Sequence, residues 1–254
     1  IAEDLWQSNQ DYNGPGTQTA AILRPVKRQE LQDFKEYVDK RFTWRGNFGR
    51  ADRTRCKDLQ NWASEADDVT LVYEPPEIEA LAQLNDAASI ITMRDDDFRK
   101  ELLHWMRLSK KHPRYSQDGL NSASMHMTAI EAFAAKVVLK SAAFKILDTM
   151  GLAKSVVSEK SKTLSSTGIV LFHRPFDESP IVTGRYFYRF WLNLTRLGFA
   201  AWPMAVLADY EATATEISRK HNIPDNHRLV NALRVGTATG RPSRARLPVT
   251  ELLC

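Results

Sequence analysis

Apolar residues recur at helical spacing along most of the chain and gather into short strand-like runs at only a few places. Between Arg28 and Arg41, Leu31, Phe34, Tyr37 and Val38 repeat every three or four positions, which predicts a first helix. Asp52 has the chemistry of an N-cap, and Leu59 and Trp62 mark the inner side of a short helix after it. Val69 to Tyr73 reads as a strand. Pro75 and Pro76 then open a helix carrying Ile78, Leu81, Leu84, Ala88 and Ile91. Phe98, Leu102, Trp105 and Leu108 mark the next helical stripe. After a loop with Pro113 and Asp118-Gly119, one long helix is expected from Ala129 to Met150. Its broad apolar face holds Ile130, Phe133, Val137, Val138, Phe144 and Leu147, and Gly151 caps its end.

The second half alternates more evenly. Ser155 to Ser166 reads as a surface connection, and Gly168 to Phe172 as a buried strand. Pro180 starts a helix with Phe187, Phe190, Trp191, Leu194 and Leu197 inward and Gly198 at its stop. A strand-like segment at Ala200, Ala201 and Trp202, a helix near Ala208 to Arg219, and a last strand from Leu229 to Val235 follow. The tail from Gly240 to Pro248 is rich in Arg and Pro, and Asn13-Gly14-Pro15-Gly16 near the start is a turn signal. Few strands separated by long helices predict a mixed α+β or α/β domain with more helix than average.

Composition narrows the class. A chain of 254 residues with 43% hydrophobic positions suits one large domain. The net charge of +4 is mild and spread out, which argues against a nucleic-acid partner but suits a small anion. Cys56 and Cys254 give no disulfide framework, consistent with a reducing compartment such as the cytoplasm. Apolar runs stay short of the ~20 residues of a membrane span. The chain starts Ile1-Ala2-Glu3 without Met, as expected of a processed or partial chain.

Several chemistries lack their motifs. There is no Gly-x-Gly-x-x-Gly, P-loop or Gly-x-Ser-x-Gly, and the six His form no His-x-x-x-His pair. Next to Trp105, His104 reads as packing or surface, and Asp177 and Glu178 as a solvated loop. Two arginine groups remain. Arg41-Phe-Thr43-Trp-Arg45 places two cations and a hydroxyl on alternate positions, which share one side of an extended segment. Arg244-Ala-Arg246-Leu-Pro248 repeats the alternation. Guanidinium forks suit a phosphoester, although two basic surface stretches have the same spacing.

The C-terminal half resembles the nitroreductase superfamily. The pieces are Gly184-Arg-Tyr-Phe187-Tyr-Arg-Phe190-Trp191-Leu192, Leu197-Gly198, Trp202-Pro203-Met204, Leu233-Arg234-Val235-Gly236 and Arg244-Ala-Arg246-Leu-Pro248, in the family's order. Arg41-Phe-Thr43-Trp-Arg45, with Phe48 after it, is similar to that family's Arg-x-Ser-x-Lys/Arg landmark, with one extra residue before the Phe. The resemblance implies an α+β fold with a central mixed or antiparallel sheet surrounded by helices. It implies FMN as cofactor, NAD(P)H as donor and a nitroaromatic, quinone or enone acceptor. Carried over, Arg41, Thr43, Arg244 and Arg246 bind the phosphate, Arg45 lies near the pyrimidine edge of the flavin, and Trp202, Pro203 and Met204 lie against the ring. For Trp202 and Met204, plain core packing is the alternative. Gly184 is expected to permit close approach to the ring or to a partner. No side-chain acid or base is nominated.

The family's Ala-Pro-Ser-x-x-Asn-x-Gln-Pro-Trp segment has no match here. A longer, divergent tandem branch carries it in an upstream half, and the region from Arg41 through Trp105-Met106-Arg107 to Asp118-Gly119 looks like the second half of such a protein. Residues 1–27 are then an N-terminal extension or the end of a missing upstream region, and 28–254 the flavin-binding domain. The protein is expected to act as a homodimer or paired with that upstream half. The alternative to an enzyme is a protein on the same fold that holds flavin, or serves in interaction, without efficient turnover.

Overall fold

In the computed structural model, residues 32–242, 247 and 249–251 are described. The chain divides into two compact units, Ile1–Glu36 and Tyr37–Cys254. The expected extension 1–27, the Asn13 turn, and both Arg244 and Arg246 lie outside the described residues.

Helix α1 spans Gln32–Lys40, strand β1 Phe48–Gly49 and helix α2 Arg53–Glu65. Asp52 does cap α2, its carboxylate accepting from the Arg55 amide at 2.8 Å. Strand β2 (Val69–Val72) precedes α3 (Pro75–Arg94), which has Pro in its first turn, and α4 (Asp96–Trp105). Two short parallel strands follow, β3 (Met106–Arg107) and β4 (Leu120–Asn121). Next come α5 (Ala129–Val138), α6 (Ser141–Thr149), α7 (Ala153–Val157) and α8 (Lys160–Leu164). The C-terminal part holds β5 (Gly168–Pro175), α9 (Pro180–Arg196), β6 (Ala200–Pro203), α10 (Val206–Asp209), α11 (Glu211–Lys220) and β7 (His227–Ala238).

The architecture is α+β. All ladders of the main sheet are antiparallel: β2 pairs with β5, β5 with β7, and β7 along its other edge with β6 and then β1. Strand β5 is central, and Ile169 through Phe172 have no exposed surface. Alternation divides them. Val170 and Phe172 pack with Leu59 of α2 and with Phe190 and Leu194 of α9, while Ile169 and Leu171 pack with Ile78 of α3, Leu207 of α10 and Ile217 of α11. Helices therefore cover both faces of the sheet. Among the described residues, no helix is long and apolar enough to cross a membrane.

The structure corrects several expectations, among them the single helix near Ala208 to Arg219, which is two, α10 and α11, and Ile91, which is exposed. The helix expected from Ala129 to Met150 is two helices, because the backbone at Lys140 is extended (φ −69°, ψ 139°). Phe133 and Phe144 stand eleven residues apart, close to three turns, so an unbroken helix would present both on one side. The break lets Phe144 enter a core with Ile90 and Ala153 while Phe133 stays 69% exposed. Helix α4 ends at Trp105, so Leu108 is not on it. Phe98 and Trp105 are exposed, and Arg99 is the buried residue, lying over the Phe144 ring. Ser155 to Ser166 is not a simple surface connection. It forms most of α7 and α8, and the Thr163 hydroxyl is sealed against β7. Glu178 is not a solvated loop carboxylate. It receives Arg174 and the Thr183 hydroxyl, and the Arg174 guanidinium holds its carboxyl below the usual range.

Candidate functional site

After α1 the chain is extended and runs beside β6. Thr43 bridges Ala201 in parallel, and the Trp44 amide donates to the Ala201 carbonyl at 3.1 Å. The alternation then separates roles: Trp44 is buried with Phe48 and Ala200, while Arg41, Thr43 and Arg45 remain half-buried. Tight packing secures this corner, since a Cβ on Gly236 of β7 would meet the Phe48 ring at 2.6 Å.

The three alternating side chains do not share one set of neighbours. The Arg41 guanidinium lies over the rings of Trp191 (4.6 Å) and Tyr188 (5.5 Å) on α9. Arg45 has Glu159, just before α8, as its electrostatic partner, and burial lowers its pKa against that attraction. Among the described residues it makes no ion pair within 4 Å.

Trp202 stands opposite Arg234 in the β6–β7 register. Its ring carries the Arg234 guanidinium at 3.5 Å and the Lys162 ammonium at 5.2 Å. Arg234 is 1% exposed in the middle of the sheet and donates to the Thr163 hydroxyl (2.9 Å) and the Glu159 carboxylate (2.5 Å). Among the described residues, its Nε has no hydrogen-bond partner. Lys162 also reaches Glu159, at 3.4 Å. Burial lowers the pKa of Arg234, with Glu159 and then Asp86 opposing. Asp86 itself accepts from the Ser158 hydroxyl and the Glu159 amide. Three cations thus face two carboxylates. His126, whose ring lies 4.2 Å from that of Trp44, has a lowered pKa through burial and then the charges of Lys162 and Arg45, so it adds no charge near neutrality.

A cleft of about 320 Å3 opens beside Lys40 and Phe42. Arg55, Arg241 and Thr237 also line it, and among the described residues no carboxylate does. The Thr237 hydroxyl is buried and, among the described residues, has no hydrogen-bond partner. A cleft lined by Lys40, Arg55 and Arg241 has the chemistry to receive an anion such as a phosphate.

The structure therefore brings the Arg41–Arg45 segment beside Ala201, the residue before Trp202 and Pro203, although more than 150 residues separate them in sequence. Met204 turns into the core with Leu207 and Ile217, leaving its amide bonded to the Ala232 carbonyl. The space around Gly184 is open, with no described atom within 4 Å of an added Cβ. Glu159, Lys162 and His126 escaped sequence reasoning, and Arg234 entered it only as part of the Leu233-Arg234-Val235-Gly236 piece, with no role assigned. The available signal was Arg234 itself, a lone charge between Leu233 and Val235 in an apolar strand. Among the described residues there is no metal-ligand cluster.

No protein-family model matches the chain, and no curated protein matches it. Among solved structures, it is similar to a nitroreductase with bound FMN from Bacteroides fragilis, at 11% identity and a TM-score of 0.49, over 87% of this chain and 97% of that one. It is similar to the FMN and NADPH-dependent nitroreductase NfnB from sphigopyxis sp. strain HMH, at 16% identity and a TM-score of 0.46, over 87% and 97% of the two chains. It is also similar to the FMN-dependent nitroreductase NfnB from Mycobacterium smegmatis, a structure in complex with NADPH, at 16% identity and a TM-score of 0.44, over 89% and 99%.

Proposed function

We propose that the chain is an FMN-dependent oxidoreductase of the nitroreductase type. When bound, FMN supplies hydride transfer from NAD(P)H to an electron-poor small molecule, of the nitroaromatic, quinone or enone class. The supporting observation is the bridge between Thr43 and Ala201, which joins at one sheet edge two motifs that resemble parts of one flavin site.

In this reading Arg41 and Thr43 hold the phosphate together with Arg244 and Arg246, and the cations of the Lys40–Arg241 cleft deepen the field around it. Arg45 lies at the pyrimidine edge of the ring. Its burial makes its charge more effective there, because less water screens it. Trp202 and Pro203 form a wall that excludes water, and Arg234 fixes the Trp202 ring in that wall. Met204 fastens the end of the wall to the core. The protein acts as a dimer, or paired with an upstream half, in a reducing compartment such as the cytoplasm.

The test is to purify the chain with FMN and follow its visible spectrum while NADH or NADPH is added without oxygen. A yellow protein that bleaches is the expected result. A yellow protein that neither nicotinamide reduces identifies the flavin-holding alternative. A protein left colourless after incubation with FMN overturns the reading.

A further inference from the structure

A second cavity, of about 790 Å3, lies between the 103–112 segment and α5. Its volume falls in the range of small-molecule pockets. Met106, Leu108, Met127, Ala132 and Phe133 give it apolar walls, and Lys110, Lys136 and Lys140, with His104 and His112, add basic groups. Among the described residues, no acidic one lines it.

Two carboxylates close in sequence are engaged elsewhere. Asp118 holds Arg107 at 2.8 Å and Arg114 at 3.2 Å, and Glu131 is bound into the capping box of α5 by the Thr128 amide and hydroxyl. Among the described residues, Lys110, Lys136 and Lys140 form no ion pair within 4 Å. Lys136 lies on α5 and Lys140 two residues past its end, and both line the cavity, so an anion between them offsets the repulsion of their like charges. Phe133, 69% exposed although it lines this wall, is the kind of surface that an apolar ligand body covers.

We propose that this cavity binds an organic anion with an apolar body, a medium-chain or aromatic carboxylate, with its chain against Met106, Met127 and Phe133 and its carboxylate at Lys136 and Lys140. The site uses none of the residues assigned to flavin and stands or falls without that reading.

Decanoate titrated into the full chain by calorimetry tests it. Saturable one-to-one binding is expected, with decanol at least about tenfold weaker because it lacks the charge. The double variant Lys136→Gln/Lys140→Gln is expected to weaken decanoate about fivefold and to reduce its salt dependence. Both lysines are exposed, so the variant should fold. Lys145→Gln, on α6 and paired with Asp96, is the control that should leave binding unchanged. Equal affinity for decanol, or no effect of the double variant, overturns the proposal. So does absence of saturable binding, whether the chain then adheres to vesicles of phosphatidylglycerol through α5 or covers Phe133 with a second copy of itself.

Discussion

The pair His173 and His227 ties the stability of the sheet to pH. Their Nδ1 atoms are 2.8 Å apart, a distance that requires one ring to donate and the other to accept. His173 also meets the Thr70 hydroxyl at 3.3 Å and is only 2% exposed. Burial lowers its pKa to about 4, with the charges of His227 and Arg174 adding to the effect. Asp68 and Glu178, which also face this corner, are already paired to Arg174. The folded protein therefore resists a proton that the unfolded chain accepts near its ordinary value of 6.5. Stability is complete above that value and falls as pH drops toward 4. Linkage between these two values gives a loss of about 2 kcal/mol on going from about pH 7 to about pH 5. Urea unfolding of the wild type and of His173→Gln across that interval measures it. His126 and His221, whose pKa values are also lowered by burial, contribute to both proteins and cancel in the difference. The wild type should lose about 2 kcal/mol more than the variant. Parallel pH profiles for the two proteins would show that the buried imidazole contact does not control protonation.

Gly119 and Gly151 both have positive φ, +68° and +72°, but differ in space. A Cβ on Gly119 would lie 2.3 Å from the Trp105 carbonyl, so Gly119→Ala should cost about 3 kcal/mol or more in urea unfolding, while Gly151→Ala, in open space, should cost only about 1. Arg234→Met removes one partner of Glu159 and the clamp on Trp202, and should cost about 3 kcal/mol by the same assay. Thr128→Ala breaks the capping box of α5 and should lower thermal stability by an amount equivalent to about 1 kcal/mol.

The elements that were legible in the sequence are those whose ends are fixed by local chemistry. Asp52 caps α2, proline opens α3 and α9, and Gly151 and Gly198 adopt the left-handed conformations that stop α6 and α9. The central strand was legible because a run of four fully buried residues suits a sheet covered on both faces. The break at Lys140 has no such signal. Val137, Val138 and Leu139 continue the apolar pattern without a Gly or Pro, and only the tertiary demand of Ile90 and Ala153 for Phe144 sets the second helix apart. Periodicity reports which residues can share a face of one helix; it does not report that the chain has used two.

The candidate site divides along the same line. The alternation in Arg41, Thr43 and Arg45 correctly indicates an extended segment, because period two is a property of the backbone. Where the two guanidinium groups end up is decided by what each side of β6 offers. On α9 the rings of Trp191 and Tyr188 lie under the Arg41 guanidinium. Around Arg45 the chain supplies Glu159, which Arg234 and Lys162 already engage. A carboxylate shared three ways cannot neutralise all its partners, and Asp86 compensates only part of the difference. The remaining positive charge arises from residues in four separate segments, each unremarkable in its own sequence context. Their association depends on α8 folding back over β7 through the Thr163 hydroxyl, a contact that no local pattern encodes. Substituting Thr163 should therefore disturb the field at Arg45 without touching either arginine, which makes it a positioning residue for whatever anion the site receives.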